Sequence, residues 1–319
     1  MKRLLLLIFI LIIIFINKLA LGAVIKVYGI NVVNPSISFI PETGWSVIEY
    51  TGIDYWETFD VIASTGYFYH TDYDNFVYID KRETNTGNLE WRYIFIENNY
   101  ARGGFLAQDN EYIYICKYRR EDFYAVTHIA KLLKTNGQFV NESIIREISS
   151  DVIPNGCIVD DNYLYVYVNK DIIPVLYKLN KNDFSIIWSV SENNIDGSPI
   201  PYGLGLRRIY YDDQYIYTVN RPGLYSLIYV KHRKDNGNIV GYYYHENDTY
   251  IYYGSTMWLD DNFIYSCGIA LDSSYRNYVY IEKVNKLNMT GELLFIELCI
   301  GSCNLNSITG DNNYIYVSG

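Results

Sequence analysis

Asp160-Asp161-Asn162-Tyr163-Leu164-Tyr165 is one of six near-copies of a single phrase, and the spacing of the copies decides the architecture. The others are Ser64-Thr65-Gly66-Tyr67-Phe68-Tyr69, Asp109-Asn110-Glu111-Tyr112-Ile113-Tyr114, Asp212-Asp213-Gln214-Tyr215-Ile216-Tyr217, Asp260-Asp261-Asn262-Phe263-Ile264-Tyr265 and Asp311-Asn312-Asn313-Tyr314-Ile315-Tyr316. First aromatics follow one another at intervals of 45, 51, 52, 48 and 51 residues. A period near 50 built from strands and polar turns is the mark of a propeller blade.

Working outward from Asp160, Gly156 to Val159 reads as a short apolar strand and Asp160 to Asn162 as a tight turn of residues that tolerate the left-handed region. Tyr163 to Val168 and Val175 to Leu179 are the next two strands, Asn180 to Asp183 a second turn, and Phe184 to Val190 the fourth strand. Tyr163 and Tyr165 point one way, Leu164 and Val166 the other. A sheet wetted on one side would alternate apolar with polar. Here both faces must be covered, as they are when blades pack face to face around an axis.

The turn between third and fourth strands recurs at Thr86-Gly87, Asn136-Gly137, Asn182-Asp183, Asn236-Gly237 and Thr290-Gly291. Asn-Gly favours such hairpins because both residues accept positive φ. A glycine also precedes each first strand, at Gly104, Gly156, Gly205, Gly254 and Gly301, which suits a sharp entry bend. Blades begin near Phe59, Gly104, Gly156, Leu206 and Ser255, and the sixth copy stops after its second strand. Val24–Tyr28 and Ile37–Ile40 supply the missing two strands, so the expected fold is all-β: a six-bladed β-propeller of four-stranded antiparallel blades, its last blade closed by N-terminal strands. Closure removes sheet edges that would invite aggregation. A piece of a longer seven- or eight-bladed ring is the alternative.

The third-strand phrase resembles the repeat of quinoprotein-like (PQQ-repeat) propellers, an alternating strand followed by Leu-Asp, Thr-Gly and Trp. Leu176-Tyr177-Lys178-Leu179-Asn180 with Trp188, and Val77-Tyr78-Ile79-Asp80 with Thr86-Gly87-Asn88-Leu89-Glu90-Trp91, carry the likeness. The docking Trp stands only at Trp91 and Trp188; Asn141, Gly241 and Phe295 take its place elsewhere. The resemblance implies the fold. Quinone-dependent members have eight blades, a vicinal cysteine pair and calcium ligands, and this chain has no adjacent cysteines, so no cofactor is expected.

Lys2-Arg3, the 13-residue apolar run Leu4 to Ile16, and Ala20-Leu21-Gly22 read as an export signal over 1–22, leaving 23–319 as one propeller domain. An uncleaved anchor would need the apolar run to extend past Lys18 to Ile25, since a span takes about 20 residues. Either way the remainder lies outside the cytoplasm. Residues 1–22 hold three of the 26 basic residues and none of the 36 acidic ones, so the remainder carries −13. No basic cluster survives, which argues against nucleic acid as a partner.

The Asp-Asp doublets sit in equivalent turns of different blades, too far apart to share an ion, and no metal site is expected. Of the five cysteines, Cys299 and Cys303 are near enough in sequence for a local disulfide, while the other three are expected as buried thiols. No Ser-His-Asp spacing or phosphate loop is present. Asn141, Asn247 and Asn288 head glycosylation sequons. The connections entering the blades offer Tyr202, Arg207, Arg208, Trp258, Trp56 and Arg102 around the axis. Aromatic planes with arginines suit a carbohydrate or an anionic glycan; the plainer reading is that they pack the loops. The functional expectation is a cell-surface scaffold that binds a protein or a carbohydrate. The alternative is an extracytoplasmic lyase or hydrolase using Tyr202, Arg207 and Arg208.

Overall fold

The computed structural model describes residues 24–28, 38–40, 60–64, 67–74, 76–83, 88–95, 101–121, 123–148, 150–171, 173–192, 194–195, 198–199, 208–298, 307–310 and 314–318. Among them every element is a strand. The first blade contains β3 (Asp60–Ser64), β4 (Tyr67–Asp74), β5 (Phe76–Glu83) and β6 (Leu89–Phe95); the N-terminal β1 (Val24–Tyr28) and β2 (Ser38–Ile40) belong elsewhere. The second contains β7 (Ala101–Gln108), β8 (Tyr112–Glu121), β9 (Tyr124–Leu133) and β10 (Phe139–Ile145). The third runs β11 (Val152–Val159), β12 (Tyr163–Lys170), β13 (Ile173–Asn180), β14 (Ile186–Ser191). After a small ribbon, β15 (Asn194–Ile195) with β16 (Ser198–Pro199), the fourth runs β17 (Arg208–Tyr211), β18 (Tyr215–Gly223), β19 (Ser226–Arg233), β20 (Ile239–Glu246). The fifth runs β21 (Ile251–Leu259), β22 (Phe263–Leu271), β23 (Asn277–Asn285), β24 (Gly291–Leu298).

The last sheet has the order β2-β1-β26-β25, with β25 (Ser307–Gly310) and β26 (Tyr314–Ser318) contributed by the C-terminus. Ile25 pairs with Val317 and Tyr28 with Tyr314, so strands from the two ends of the chain share one blade, as the truncated sixth copy of the phrase requires. The architecture is a β-propeller, and six four-stranded antiparallel sheets lie among the described residues. Because neighbours are antiparallel, the turns between strands one and two and between three and four lie at the same end of each blade (the turn end). The turns between strands two and three, and the connections to the next blade, lie at the opposite, crossover end.

Apolar residues on both faces are explained by what they meet. Leu164, Val166 and Val168 share a core with Tyr114, Cys116 and Ile129 of the second blade. Tyr165 and Tyr167, on the other face, join Ile209 and Ile216 of the fourth. Similar cores link the first to the second, the fourth to the fifth, and the fifth to the last through Tyr265, Cys267, Ile308 and Val317. Each fully buried Leu, Ile or Val gains roughly 1.5–3 kcal/mol over exposure, so these seams carry most of the cohesion. Cys116, Cys157 and Cys267 are buried thiols within them; the Cys157 thiol donates to the Phe105 carbonyl at 3.2 Å.

Two expectations are corrected. Gly104 and Gly156 lie inside their first strands, at bulges between Arg102 and Gly104 and between Pro154 and Gly156, and are not entry bends. At Gly104 a Cβ would sit 2.5 Å from the Cys116 carbonyl oxygen, so close approach of the second strand sets the requirement. In the third-to-fourth-strand turns, positive φ falls on Gly137 (71°), Phe184 (59°), Gly237 (77°) and Met289 (50°). Asp183 and Gly291 are therefore not the left-handed residues. The backbone N–H of each left-handed residue donates four positions back, to Leu133, Asn180, Arg233 and Asn285. Counting four onward places Trp91-like positions at Asn141, Trp188, Gly241 and Leu293, so Leu293 replaces Phe295 in the expected series.

Candidate functional site

The repeated turn phrase is a structural device. Asp160 accepts from the backbone N–H of Asn162 (3.0 Å) and Tyr163 (2.8 Å) and from the Tyr165 hydroxyl (3.0 Å). Lys234 of the next blade then meets the carboxylate at 2.9 Å. Asp109 with Lys181 (2.9 Å) and Asp212 with Lys286 (2.7 Å) repeat the arrangement. Burial alone would raise the Asp160 pKa, but the bonds from Asn162, Lys234 and Tyr163 outweigh it and hold the carboxyl below its usual value. Burial and the neighbouring Asp push the Tyr165 phenol far up. The leading Asp of each of these phrases is thus a turn former and an inter-blade tie. No group of three metal-ligating side chains lies together among the described residues.

Sequence reading missed two buried polar clusters because their bonded partners lie up to 53 positions apart. In the first, fully buried Glu192 accepts from Tyr167 (2.5 Å) and Thr218 (2.6 Å) and meets His232 Nε2 at 2.7 Å. In the second, buried Glu282 accepts from Tyr229 (2.7 Å) and meets His245 Nδ1 at 2.7 Å, while His245 Nε2 lies 3.0 Å from the Tyr252 hydroxyl. The bond to Glu282 raises the His245 pKa against the effect of burial. A carboxylate, imidazole and phenol in line have the parts of a proton relay. Both ring nitrogens of His245 are already engaged, however, and burial drives the Tyr252 phenol well above its ordinary value. The arrangement ties the fourth blade to the fifth.

Of the six residues expected around the axis, Arg102, Arg208 and Trp258 lie among the described residues. Tyr202, Arg207 and Trp56 lie outside the described residues, as do Cys299 and Cys303. Arg102 lies at the β7 bulge and Arg208 opens β17, paired with Val219. Trp258 stacks on Tyr265 at 5.5 Å and packs against the seam between the fifth blade and the last. The sequon asparagines differ from one another. Asn141 Nδ2 donates to the Asn182 carbonyl at 2.9 Å, whereas Asn247 and Asn288 cap turns through their side-chain oxygens. Asn288 is exposed.

The crossover end presents apolar side chains to solvent. Phe123 is 83% exposed, Tyr275 81% and Ile148 96%. Tyr124, Leu224 and Tyr225 flank them in equivalent turns and are also exposed. At the turn end Leu287 is the one described apolar residue as exposed as Phe123, Ile148 and Tyr275, while Leu89, Ile186, Ile187 and Val240 at the starts of fourth strands are about half exposed. The crossover turns are held in place. Asp272 accepts from the backbone of Ser274 (2.8 Å) and Arg276 (3.0 Å), the Arg276 guanidinium (2.6 Å) and the Tyr278 hydroxyl (3.0 Å), lifting Tyr275 at φ 59°. Burial opposes but does not cancel these bonds, and the Asp272 pKa falls to about 2. The Leu224 and Tyr225 carbonyls accept from Tyr252 and Asn247, fixing that turn to the entry of the fifth blade. Ion pairs Arg146–Glu121 (3.5 Å) and Lys170–Glu147 (3.2 Å) stand among the apolar tips.

No family model matches the chain and no curated protein does. Among solved structures it is similar to the periplasmic gluconolactonase PpgL of Pseudomonas aeruginosa, with TM-score 0.53 and 9% identity over 86% of this chain and 82% of that one. It is also similar to Kuenenia stuttgartiensis hydrazine synthase, with TM-score 0.52 and 10% identity over 72% of this chain and 62% of that one. BamB from Moraxella catarrhalis aligns over 79% of this chain and 81% of that one, with TM-score 0.44 and 11% identity. At these identities the likeness is one of fold.

Proposed function

We propose that the chain is an exported binding scaffold whose crossover end holds a protein partner. The observation that carries this reading is the set of apolar side chains on hydrogen-bonded turns at one end of the blades, with Phe123, Ile148 and Tyr275 each more than four-fifths exposed. Exposed apolar groups rimmed by ion pairs suit protein recognition, in which aromatic anchors are buried and charges stay at the edge. Turns fixed before binding lose little entropy on contact. Export is supported by the basic and apolar pattern of residues 2–16 and by the acidic balance of the chain. The experiment is crosslinking of the exported protein on cell envelopes, comparing it with Phe123→Ser/Tyr275→Ser by quantitative mass spectrometry. A partner enriched with the native chain and depleted at least tenfold with the variant supports the proposal. Identical profiles at equal melting temperature overturn it.

A further inference from the structure

Two grooves open at the turn end, opposite the proposed partner face, and they are copies of each other one blade apart. The first, of 460 Å³, lies between the third and fourth blades, with Asn162, Tyr163 and Lys178 on one side and Asp213, Gln214 and Arg233 on the other. The second, of 520 Å³, lies between the fourth and fifth, with Gln214, Tyr215 and Lys231 facing Asp261, Asn262 and Leu287. Both volumes fall within the range of small-ligand sites, about 300–1,000 Å³. In the repeat, Asn162 corresponds to Gln214, Tyr163 to Tyr215, and Asp213 to Asp261. The hairpin Asp213-Gln214-Tyr215 is the wall between the grooves and lines both.

The polar groups in the grooves divide into two sets. Asp160, Asp212, Lys178 and Lys231 are spent inside the protein: the carboxylates hold turns and lysines, and Lys178 and Lys231 donate at 2.8 Å to the Lys234 and Lys286 carbonyls. Lys178 and Lys231 also lie over the Tyr163 and Tyr215 rings at 3.9 and 4.0 Å. The side chains of Asn162, Asp213, Gln214, Asp261 and Asn262 instead make no hydrogen bond to another described residue, and all five are exposed. Turn geometry uses the backbone N–H and carbonyl of Asn162, Gln214 and Asn262, so nothing in the fold requires their side-chain amide groups.

Carboxylate and amide groups side by side match the donor and acceptor edges of vicinal hydroxyls; the Tyr163 and Tyr215 rings below them are covered by Lys178 and Lys231 and serve as groove floor. The charge of the site selects among sugars. In the first groove Asp160, Asp213 and Asp235 are balanced by Lys178, Arg233 and Lys234, and in the second Asp212, Asp213 and Asp261 outnumber Lys231 and Lys286, so neither groove offers a net positive field to a polyanion. Arg233 is present in the first groove only, 3.9 Å from Asp235. Two equivalent grooves sharing a wall favour a ligand that itself repeats, because the second contact is made at high effective concentration. We infer that the turn end binds a neutral polysaccharide through these paired grooves, with the Asp213-Gln214-Tyr215 hairpin as the shared contact. This site is separate from the residues expected around the axis, and it stands independently of the partner proposed at the opposite end.

The test is affinity electrophoresis and calorimetry of the full exported chain. The probes are neutral hexasaccharides and polymers of the glucose, mannose and N-acetylglucosamine series, with hyaluronan as the polyanion. At least one neutral series is expected to bind, and hyaluronan is not. Asp213→Ala/Gln214→Ala should weaken that binding by about tenfold or more, the equivalent of losing one or two net hydrogen bonds. Asn162→Ala and Asn262→Ala, each touching one groove, should each give a smaller loss on the polymer. All four side chains are exposed, so unchanged melting temperatures are expected, and Phe123→Ser/Tyr275→Ser should bind the glycan normally. No binding of any neutral series, binding indifferent to the double substitution, or preference for hyaluronan overturns the inference.

Discussion

Consecutive blades are locked in two different ways, and the two alternate. From the first blade to the second, the Trp91 indole covers Gly137, where an added Cβ would lie 2.6 Å from the ring, and Trp91 Nε1 donates to the Lys134 carbonyl at 3.1 Å. From the third to the fourth, Trp188 covers Gly237 at 2.9 Å. From the second to the third the volumes are exchanged. The fourth strand offers Asn141, and the left-handed position of the next turn holds Phe184, buried edge-on to Tyr114. From the fourth to the fifth, Gly241 faces Met289, whose Cγ would be 2.8 Å from an added Cβ. A large residue on either side meets a small one on the other. What the seam requires is total volume, so the likeness to PQQ-type repeats fades at Asn141 and Gly241 without loss of the fold.

The largest expected effect is at the glycine under a tryptophan. Gly237→Val imposes left-handed backbone on a β-branched residue and drives its side chain into Trp188; the two costs together are roughly 2–5 kcal/mol. Denaturant midpoints measure it, and a change below 1 kcal/mol would show that the indole yields. Trp188→Ala is expected to lose about 2–3 kcal/mol, less than a fully buried Trp because the residue is only partly buried.

The alternation itself is tested by converting one seam into the other. Asn141→Trp should destabilise by about 1–3 kcal/mol through overpacking against Phe184, and Phe184→Gly by cavity formation. Combined, they rebuild a Trp-over-Gly contact, so a double-mutant cycle should show a favourable coupling of about 1–3 kcal/mol. Strict additivity would mean that Asn141 and Phe184 do not share a seam.

The smallest effect separates two histidines by pH. His245 is raised above 6.5 by Glu282, so its contribution is complete below 6.5 and is lost as pH rises through the elevated value. His128 is lowered to about 3 by burial, with Lys117 and Arg119 adding to the shift, so stability linked to it falls as pH drops from 6.5 toward 3. Melting temperatures of His245→Gln and His128→Gln against pH should therefore show slopes of opposite sign relative to the native chain. Parallel curves would refute the assignment.

The sheet pattern was legible because it is local. Asp160 with Tyr163, or the N–H of Gly137 with Leu133, closes within a few residues, and the same solution recurs from the second blade to the fifth. The bulges at Gly104 and Gly156 were missed because a glycine's role depends on the neighbouring strand, here the carbonyl of Cys116 and the side chain of Ile209. The axial site was built on connections that differ from blade to blade, where no repeat supplies a second reading. Trp258 illustrates the limit: as a sequence letter it suited a ligand platform, and in the fold it stacks on Tyr265.

The sequence by itself determined the repeat length, the strands and turns within a blade, and the sharing of the last blade between the two ends of the chain. These rest on backbone hydrogen bonds and on alternation between two covered faces. The tertiary structure alone decided which seams take Trp over Gly and which take Phe184 or Met289, and where Glu192 and Glu282 find their histidines. It also decided that Asp213 and Gln214 wall two grooves at once. Each of these joins residues of different blades, most of them 25 to 50 or so positions apart, and a contact of that range is set by how whole sheets stack.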